Sequence, residues 1–169
     1  MKNLVPLLAI FVFSLAAFGQ TNEGSCAPKF NAVSLEDKTF DLSKLKGKVV
    51  VVTFWSTHCA PCVSGISKFN QLAEEYKNQN VVFLAVTGEN PDTVKRFLRK
   101  KPFNFNIISN GLGIMMKFSG TPDGIVMMPT PTHYLINQDG EIELKLIGYS
   151  KKGKLDSEIK RLLSRSDAE

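Results

Sequence analysis

Apolar residues along this chain follow two kinds of pattern, continuous runs and helical repeats. Val49 to Trp55 (VVVVTFW) and Val81 to Val86 (VVFLAV) are continuous runs of mostly β-branched and aromatic residues. Such runs are typical of central strands buried on both faces of a sheet. Between them lies a predicted helix that begins at Pro61 and ends near Asn78, with an apolar face formed by Ile66, Phe69, Leu72, Ala73 and Tyr76.

The flanking segments predict a regular alternation of strands and helices. Turn residues and periodicity predict β-hairpins over 30–42 and 132–147, a helix opening at Pro91, a strand over 105–108, and helices over 112–118 and 154–163. Strands that alternate with helices in this order are typical of an α/β sandwich with a mixed central sheet. The sequence shows no internal repeat and no long linker, so a single domain is expected.

The first 19 residues have the features of a signal peptide. Lys2 gives a positive start, residues 4–18 are apolar, and small residues follow. The apolar run is shorter than the ~20 residues that span a bilayer as a helix. We therefore expect a cleaved signal rather than a membrane anchor, and an exported, periplasmic protein. Residues 20–28 are then expected to form a mobile arm, residues 29–165 the domain, and residues 166–169 a tail.

Charge excludes one class of partner. The formal net charge is +5, and the denser basic stretches, 95–101 and 151–154, are not interleaved with aromatic residues as a nucleic-acid groove would be. We interpret both as solvated faces. No nucleic-acid partner is expected, and the chain is expected to be a monomer.

Three cysteines in an exported chain leave one without a partner. Cys59 and Cys62 are so close in sequence that a disulfide between them would constrain the unfolded chain little. Their spacing therefore suits redox chemistry better than scaffolding. Cys26 is expected to be a free thiol on the N-terminal arm; lipidation is disfavoured by Glu23 and by the distance from the apolar run.

Cys59 is predicted to lie where a buried strand ends and a helix begins. Backbone N–H groups and the helix dipole stabilise negative charge there, so its thiol should ionise at working pH. Cys62 should lie one turn further and resolve the mixed disulfide formed at Cys59. The redox-active pair needs no other cofactor. A zinc site is disfavoured because no second Cys pair follows and the only histidines are His58 and His133.

The segment 49–62 (VVVVTFWSTHCAPC) resembles the redox motif of thioredoxins, and Ala27-Pro28-Lys29-Phe30, residues 90–108 and residues 131–137 resemble the exported TlpA/ResA-like branch. The resemblance covers residues 27–163. It implies a three-layer α/β/α sandwich with an N-terminal β-hairpin and a central helix–strand insert, and protein-disulfide reductase activity, in some members for cytochrome c maturation. It also implies that Pro131 is a cis-proline. The substrate-binding residues that it implies are Trp55, Ala60, Pro61, Thr130 and Pro131. Exported protein thiols and a membrane or soluble thiol electron donor are the implied partners.

The chain departs from that family at its usual proton acceptors. Thr53 stands where thioredoxins bury an aspartate, and Gly65 and Ser67 stand where the ResA-like branch often has glutamate and proline. We hypothesise that His58 stabilises the Cys59 thiolate or shuttles protons; the alternative is an ordinary surface histidine. Glu89 is a weaker candidate for the missing base.

Other residues and activities remain open at this point. Met115, Met116, Met127 and Met128 are expected to pack in the core, with a flexible substrate lip as the alternative. His133 is expected to be packed or to point to solvent. Peroxide reduction would use a Pro-x-x-x-Thr/Ser-x-x-Cys motif, but Val52 occupies the proline position. A copper carrier using the cysteines with His58 or a methionine is a further alternative.

Overall fold

The computed structural model describes residues 23–120 and 128–166. The predicted signal peptide, Met127 and residues 167–169 of the predicted tail therefore lie outside the described residues. The strands are β1 Asn31–Val33, β2 Thr39–Asp41, β3 Val49–Phe54, β4 Val81–Val86, β5 Asn106–Ile108, β6 Thr132–Ile136 and β7 Ile142–Ile147. The helices are α1 Ala60–Glu75, α2 Pro91–Leu98, α3 Leu112–Ser119 and α4 Lys152–Ser166.

A five-stranded mixed sheet in the order β5-β4-β3-β6-β7 forms the middle layer. β3 pairs in parallel with β4 and antiparallel with β6, while β1 and β2 form a separate antiparallel hairpin. All six residues of β3 are buried, because the continuous apolar run has a layer against each face. α2 and β5 supply the helix–strand insert, so the expected fold class is confirmed.

The side chains of β3 alternate between two apolar clusters. Val49, Val51 and Trp55 join a cluster with the buried faces of α1 and α4. Val50, Val52 and Phe54 join a second cluster with α3 and the N-terminal hairpin. The sheet thus separates two apolar layers, and Thr53 and Cys62 belong to the side of α1.

Residues 24–27, in the predicted mobile arm, make backbone contacts in the structure. Gly24 N–H donates to the Ile142 carbonyl at 2.7 Å, Ala27 N–H donates to the Gly140 carbonyl at 2.9 Å, and Cys26 forms a β-bridge with Glu141. Backbone pairing beside the start of β7 therefore holds residues 24–27. Cys26 is an exposed free thiol, as expected.

Within residues 23–120 and 128–166, every helix is too short or too polar to cross a bilayer. The predicted signal peptide lies outside these residues.

Two element boundaries differ from the predicted ones. Helix α1 begins at Ala60, directly after Cys59, and ends three residues earlier than predicted; β7 begins at Ile142 rather than Glu141. These shifts leave the order of elements unchanged.

Candidate active site

Cys59 is the N-cap residue of α1, with extended backbone angles of φ −83° and ψ 99°. Pro61 fits the first turn because that turn needs no N–H from it. The structure joins Cys59 to Cys62 in a disulfide, with the two Cα atoms 5.2 Å apart. The strand, the turn and the helix start are therefore arranged as the sequence predicts.

The two sulfurs have different surroundings. Cys59 is half-buried, and its Sγ accepts the Cys62 backbone N–H at 3.2 Å. The first turn of α1 carries no acidic side chain that would oppose negative charge on this sulfur. Cys62 is only 7 % exposed and packs in the cluster on the α1 side. Exposure thus favours Cys59 as the attacking sulfur and Cys62 as the resolving one.

The chain segment before β6 lies against the disulfide. The Thr130–Pro131 peptide bond is cis, as the resemblance implies. Cys59 Sγ is 3.4 Å from the Thr130 carbonyl oxygen, and the Pro131 carbonyl accepts the Gly148 N–H at 2.9 Å. A backbone carbonyl beside the reactive sulfur is available to an extended partner chain.

The predicted substrate-binding residues do not all reach the surface. Ala60 and Pro61 are exposed, Thr130 is half-buried and Pro131 is buried. Trp55 is 1 % exposed and packs with its ring centroid 5.6 Å from that of Phe97 and 5.4 Å from that of Phe103. The insert therefore covers the Trp55 ring in this structure, and Trp55 packs beneath the site; its contact with substrate stays a prediction.

A carboxylate that the sequence suggested only as a base ties the loop before Cys59 to β4. Glu89 accepts the Thr57 backbone N–H at 2.8 Å, the Thr57 hydroxyl at 2.6 Å and the Thr87 hydroxyl at 3.1 Å. Burial raises the pKa of Glu89, but these hydrogen bonds, with one from His58, outweigh burial and hold the pKa below its ordinary value. Glu89 is thus a hydrogen-bond acceptor that fixes the loop and a poor base for Cys62.

His58 is paired on the surface. Its side chain is 84 % exposed, and its Nδ1 lies 2.9 Å from Glu89 Oε1 and 3.2 Å from the Thr57 hydroxyl. The structure therefore gives His58 a defined partner beside the loop that carries Cys59. Its effect on the thiolate stays a prediction.

Gly65 and Thr53, at the two positions where related proteins often carry an acidic residue, have uncharged surroundings in this structure. A Cβ at Gly65 would lie 3.2 Å from the Tyr149 Cβ and 3.3 Å from the Phe69 ring, so a longer side chain does not fit without movement. Thr53 is buried and its hydroxyl lies 2.9 Å from His133 Nδ1. His133 is thus packed rather than solvent-exposed, and the sequence did not single it out for a role.

The methionines divide between core and surface. Met115 and Met128 pack against the cluster on the α3 side, whereas Met116 is exposed. Among residues 23–120 and 128–166, no group of three or more His, Cys, Asp or Glu lies close enough to hold a metal ion.

Comparison with known proteins agrees with the site. Residues 24–145 match the model of the AhpC/TSA family. Thiol-disulfide oxidoreductase ResA of a Bacillus cereus strain is 32% identical over 141 residues, which cover 82% of this chain and 78% of that protein. ResA of Bacillus subtilis (strain 168) is 32% identical over 142 residues, covering 82% and 76%. A thiol:disulfide interchange protein of the thioredoxin family from Chlorobium tepidum TLS superposes with a TM-score of 0.70 at 26% identity, covering 82% and 96%.

The fold and the cysteine pair define a protein-disulfide oxidoreductase of thioredoxin type. The chain belongs to the AhpC/TSA family and, within it, is similar to the ResA thiol-disulfide oxidoreductases.

Proposed function

We propose that this protein is a disulfide reductase that acts on exported proteins through the Cys59–Cys62 couple. The observation that carries the proposal is the half-buried Cys59 sulfur at the start of α1, bonded to the buried Cys62. One feature favours reduction over oxidation: the intervening residues Ala60 and Pro61 carry no charge and resemble the uncharged pair of thioredoxin, which is a reductant. The names of the ResA relatives support thiol–disulfide exchange in general.

The reaction proceeds in two exchanges at the reduced pair. The Cys59 thiolate attacks one sulfur of a client disulfide, and the other client sulfur leaves with the bonding electron pair. Cys62 then loses its proton and attacks the Cys59 sulfur, which releases the second client sulfur and closes the Cys59–Cys62 disulfide. The client gains two electrons and the pair loses two. The Thr130 carbonyl, 3.4 Å from the Cys59 sulfur, is positioned to accept a backbone N–H of the client.

The same proposal includes the location of the protein, its oligomeric state and its electron donor. The protein is exported to the periplasm after cleavage of a signal peptide, works as a monomer, and needs no cofactor beyond its cysteines. A membrane or soluble thiol donor reduces the pair again. Cytochrome c maturation is the proposed pathway, since haem attachment needs reduced client cysteines.

Trapping the client tests the proposal. Replacing Cys62 by serine removes the resolving sulfur, so the mixed disulfide on Cys59 should accumulate in cells and identify the client by mass spectrometry. The variant is made in a Cys26→Ser background, and Cys59→Ser/Cys62→Ser is the matched control. Clients that appear with the control as well, or a trapped set without any exported protein, would contradict the proposal. An apocytochrome c among the clients supports the pathway, and its absence contradicts it.

The direction of transfer has its own measurement, which is equilibration with glutathione. Reduction potentials in this fold range from about −270 mV in thioredoxin to about −120 mV in a strong oxidant. A value near the thioredoxin end is expected. A value near the oxidant end would make the protein an oxidase.

The peroxide alternative lacks support from the site, because Val52, at the position of the peroxide motif's proline, is a fully buried residue inside β3. The copper alternative, in which His58 or a methionine joins the cysteines, is left to experiment, because the hydrogen bond to Glu89 occupies only Nδ1 of His58. Consumption of hydrogen peroxide that needs Cys59 but not Cys62, or tight Cu(I) binding without insulin reduction, would restore the respective alternative.

A further inference from the structure

His133 is an ionisable side chain buried beneath the active site. Among residues 23–120 and 128–166, the buried polar residues are Ser34, Thr53, Thr87, Thr132 and His133. His133 is 1 % exposed and is the one member of that set with an ionisable side chain. The two exchanges at the cysteine pair leave it without a role.

Strand register places His133 on the same side of the sheet as the cysteines. His133 of β6 pairs directly with Thr53 of β3, and the alternation of side chains puts both on the α1 side with Trp55 and Cys62. The His133 ring stacks on Phe69 of α1, with centroids 4.5 Å apart. The same Phe69 ring closes the space at Gly65, which lies one turn beyond Cys62.

One nitrogen of His133 is held and the other is unpaired. Nδ1 lies 2.9 Å from the Thr53 hydroxyl, whereas buried Nε2 has no partner at normal hydrogen-bond geometry while the disulfide is closed, although the Gly148 backbone lies close enough to the ring to raise its pKa. Leaving a buried polar group without a partner destabilises the folded chain. A buried polar group left unpaired in a native structure requires an explanation, and a redox or catalytic role is one such explanation. The group that changes here is Cys62, which becomes a free, buried sulfur when the disulfide opens.

Cys62 needs such a partner because it must lose its proton to attack. Burial in an apolar cluster disfavours a thiolate. Among the buried residues of the cluster on the α1 side, the other titratable group is Tyr76, and its hydroxyl is already bound to Asp156 at 2.6 Å. The groups that contact His133 or pair with it across the sheet are uncharged: the Thr53 hydroxyl, the Phe69 ring, the Gly148 backbone and Leu146.

We propose that His133, held through Nδ1 by Thr53, is the proton acceptor for Cys62 in the resolving step. The Cys62 S–H proton passes to Nε2, the sulfur attacks Cys59, and the bonding pair leaves with the client sulfur. His133 returns the proton to solvent or to the client thiolate after release. The inference rests on the dithiol couple of the proposed function but holds for either direction of net transfer.

Attraction between a Cys62 thiolate and a protonated His133 makes the proton transfer feasible in this apolar environment. Burial lowers the pKa of His133 to about 4 in the closed disulfide, and the Gly148 backbone offsets only part of this effect. A thiolate at Cys62 raises that pKa, because opposite charges stabilise each other in an apolar environment. The proton therefore moves to His133 when the thiolate forms and not before.

The reaction of the reduced protein with 5,5′-dithiobis(2-nitrobenzoate) tests the proposal step by step. Cys59 attacks the reagent and releases one coloured thiolate, and Cys62 then resolves the mixed disulfide and releases a second. Stopped-flow absorbance separates the two phases in a Cys26→Ser background. His133→Leu is expected to slow the second phase about tenfold or more at pH 7 and to move its pH midpoint up by about one unit, with the first phase unchanged. Tyr76→Phe, which removes the other titratable side chain among the buried residues of the same cluster, is the matched control and should leave the second phase unchanged.

The outcomes separate this inference from the proposed function. Loss of the first phase in the wild type would mean that the couple itself does not work. A folded His133→Leu variant with an unchanged second phase and pH midpoint overturns the role of His133 alone. His133→Gln, which keeps a polar side chain but cannot take the proton, should resemble His133→Leu. If neither variant folds, NMR of the wild type decides: the His133 ring signals should titrate together with the Cys62 Cβ signal in the reduced protein, and independent titration overturns the proposal.

Discussion

The buried His133 should make the protein sensitive to mild acid. Its pKa is about 4 in the folded chain against 6.5 for the free side chain. Above pH 6.5 both states hold a neutral ring, so there is no penalty. As pH falls below 6.5, the unfolded chain binds a proton that the folded chain does not, and stability is lost until pH reaches about 4. The difference corresponds to about 3 kcal/mol in full, of which about 2 kcal/mol is lost between pH 7 and pH 5.

Urea unfolding of the oxidised protein at pH 7 and pH 5 measures this loss. The interval lies above the range in which Asp41, Glu89 and Asp156 gain protons, since the pKa of each is lowered. The wild type should lose about 2 kcal/mol between the two pH values, whereas His133→Leu should lose far less. An equal loss in the wild type and in His133→Leu would show that the ring is not buried in its neutral form.

Three further substitutions address the loop and α1. His58→Ala should raise the Cys59 pKa and shift its iodoacetamide profile upward; an unchanged profile makes His58 an ordinary surface residue. Glu89→Gln removes charged hydrogen bonds and should lower the free energy of unfolding in urea by about 2 kcal/mol; a loss below about 0.5 kcal/mol contradicts the anchoring role. Gly65→Ala should cost about 1–3 kcal/mol because its Cβ would lie 3.2 Å from a neighbouring side chain, whereas Gly113→Ala, with open space in α3, should be neutral or stabilising. Equal effects of the two alanines would refute the close packing at 65.

Local patterns were sufficient to predict the elements that carry the cysteines. The run 49–55 has no polar alternation because both faces of β3 are buried. Pro61 marks the helix start because its missing N–H is tolerated only in the first turn. Both signals depend on a few adjacent residues, so the position of Cys59 at the junction followed from the sequence alone.

Long-range pairing was what the sequence did not reveal. His133 meets Thr53 across 80 residues, through strand register that local periodicity does not encode. Residues 24–27 pair with β7 through backbone groups, which carry no side-chain pattern. Trp55 was assigned to the substrate surface by resemblance, but the aromatic residues of the insert cover its ring.

The pKa of the Cys59 thiol tests the central claim most directly. Reduced protein is alkylated with iodoacetamide across a pH series, and mass spectrometry follows the Cys59 peptide, with the exposed Cys26 peptide as an internal reference. A sulfur stabilised by the start of α1 should titrate within roughly 3.5–7.5, as helix N-terminal cysteines do. A midpoint near 8.5, the ordinary value for a free cysteine, would contradict the account.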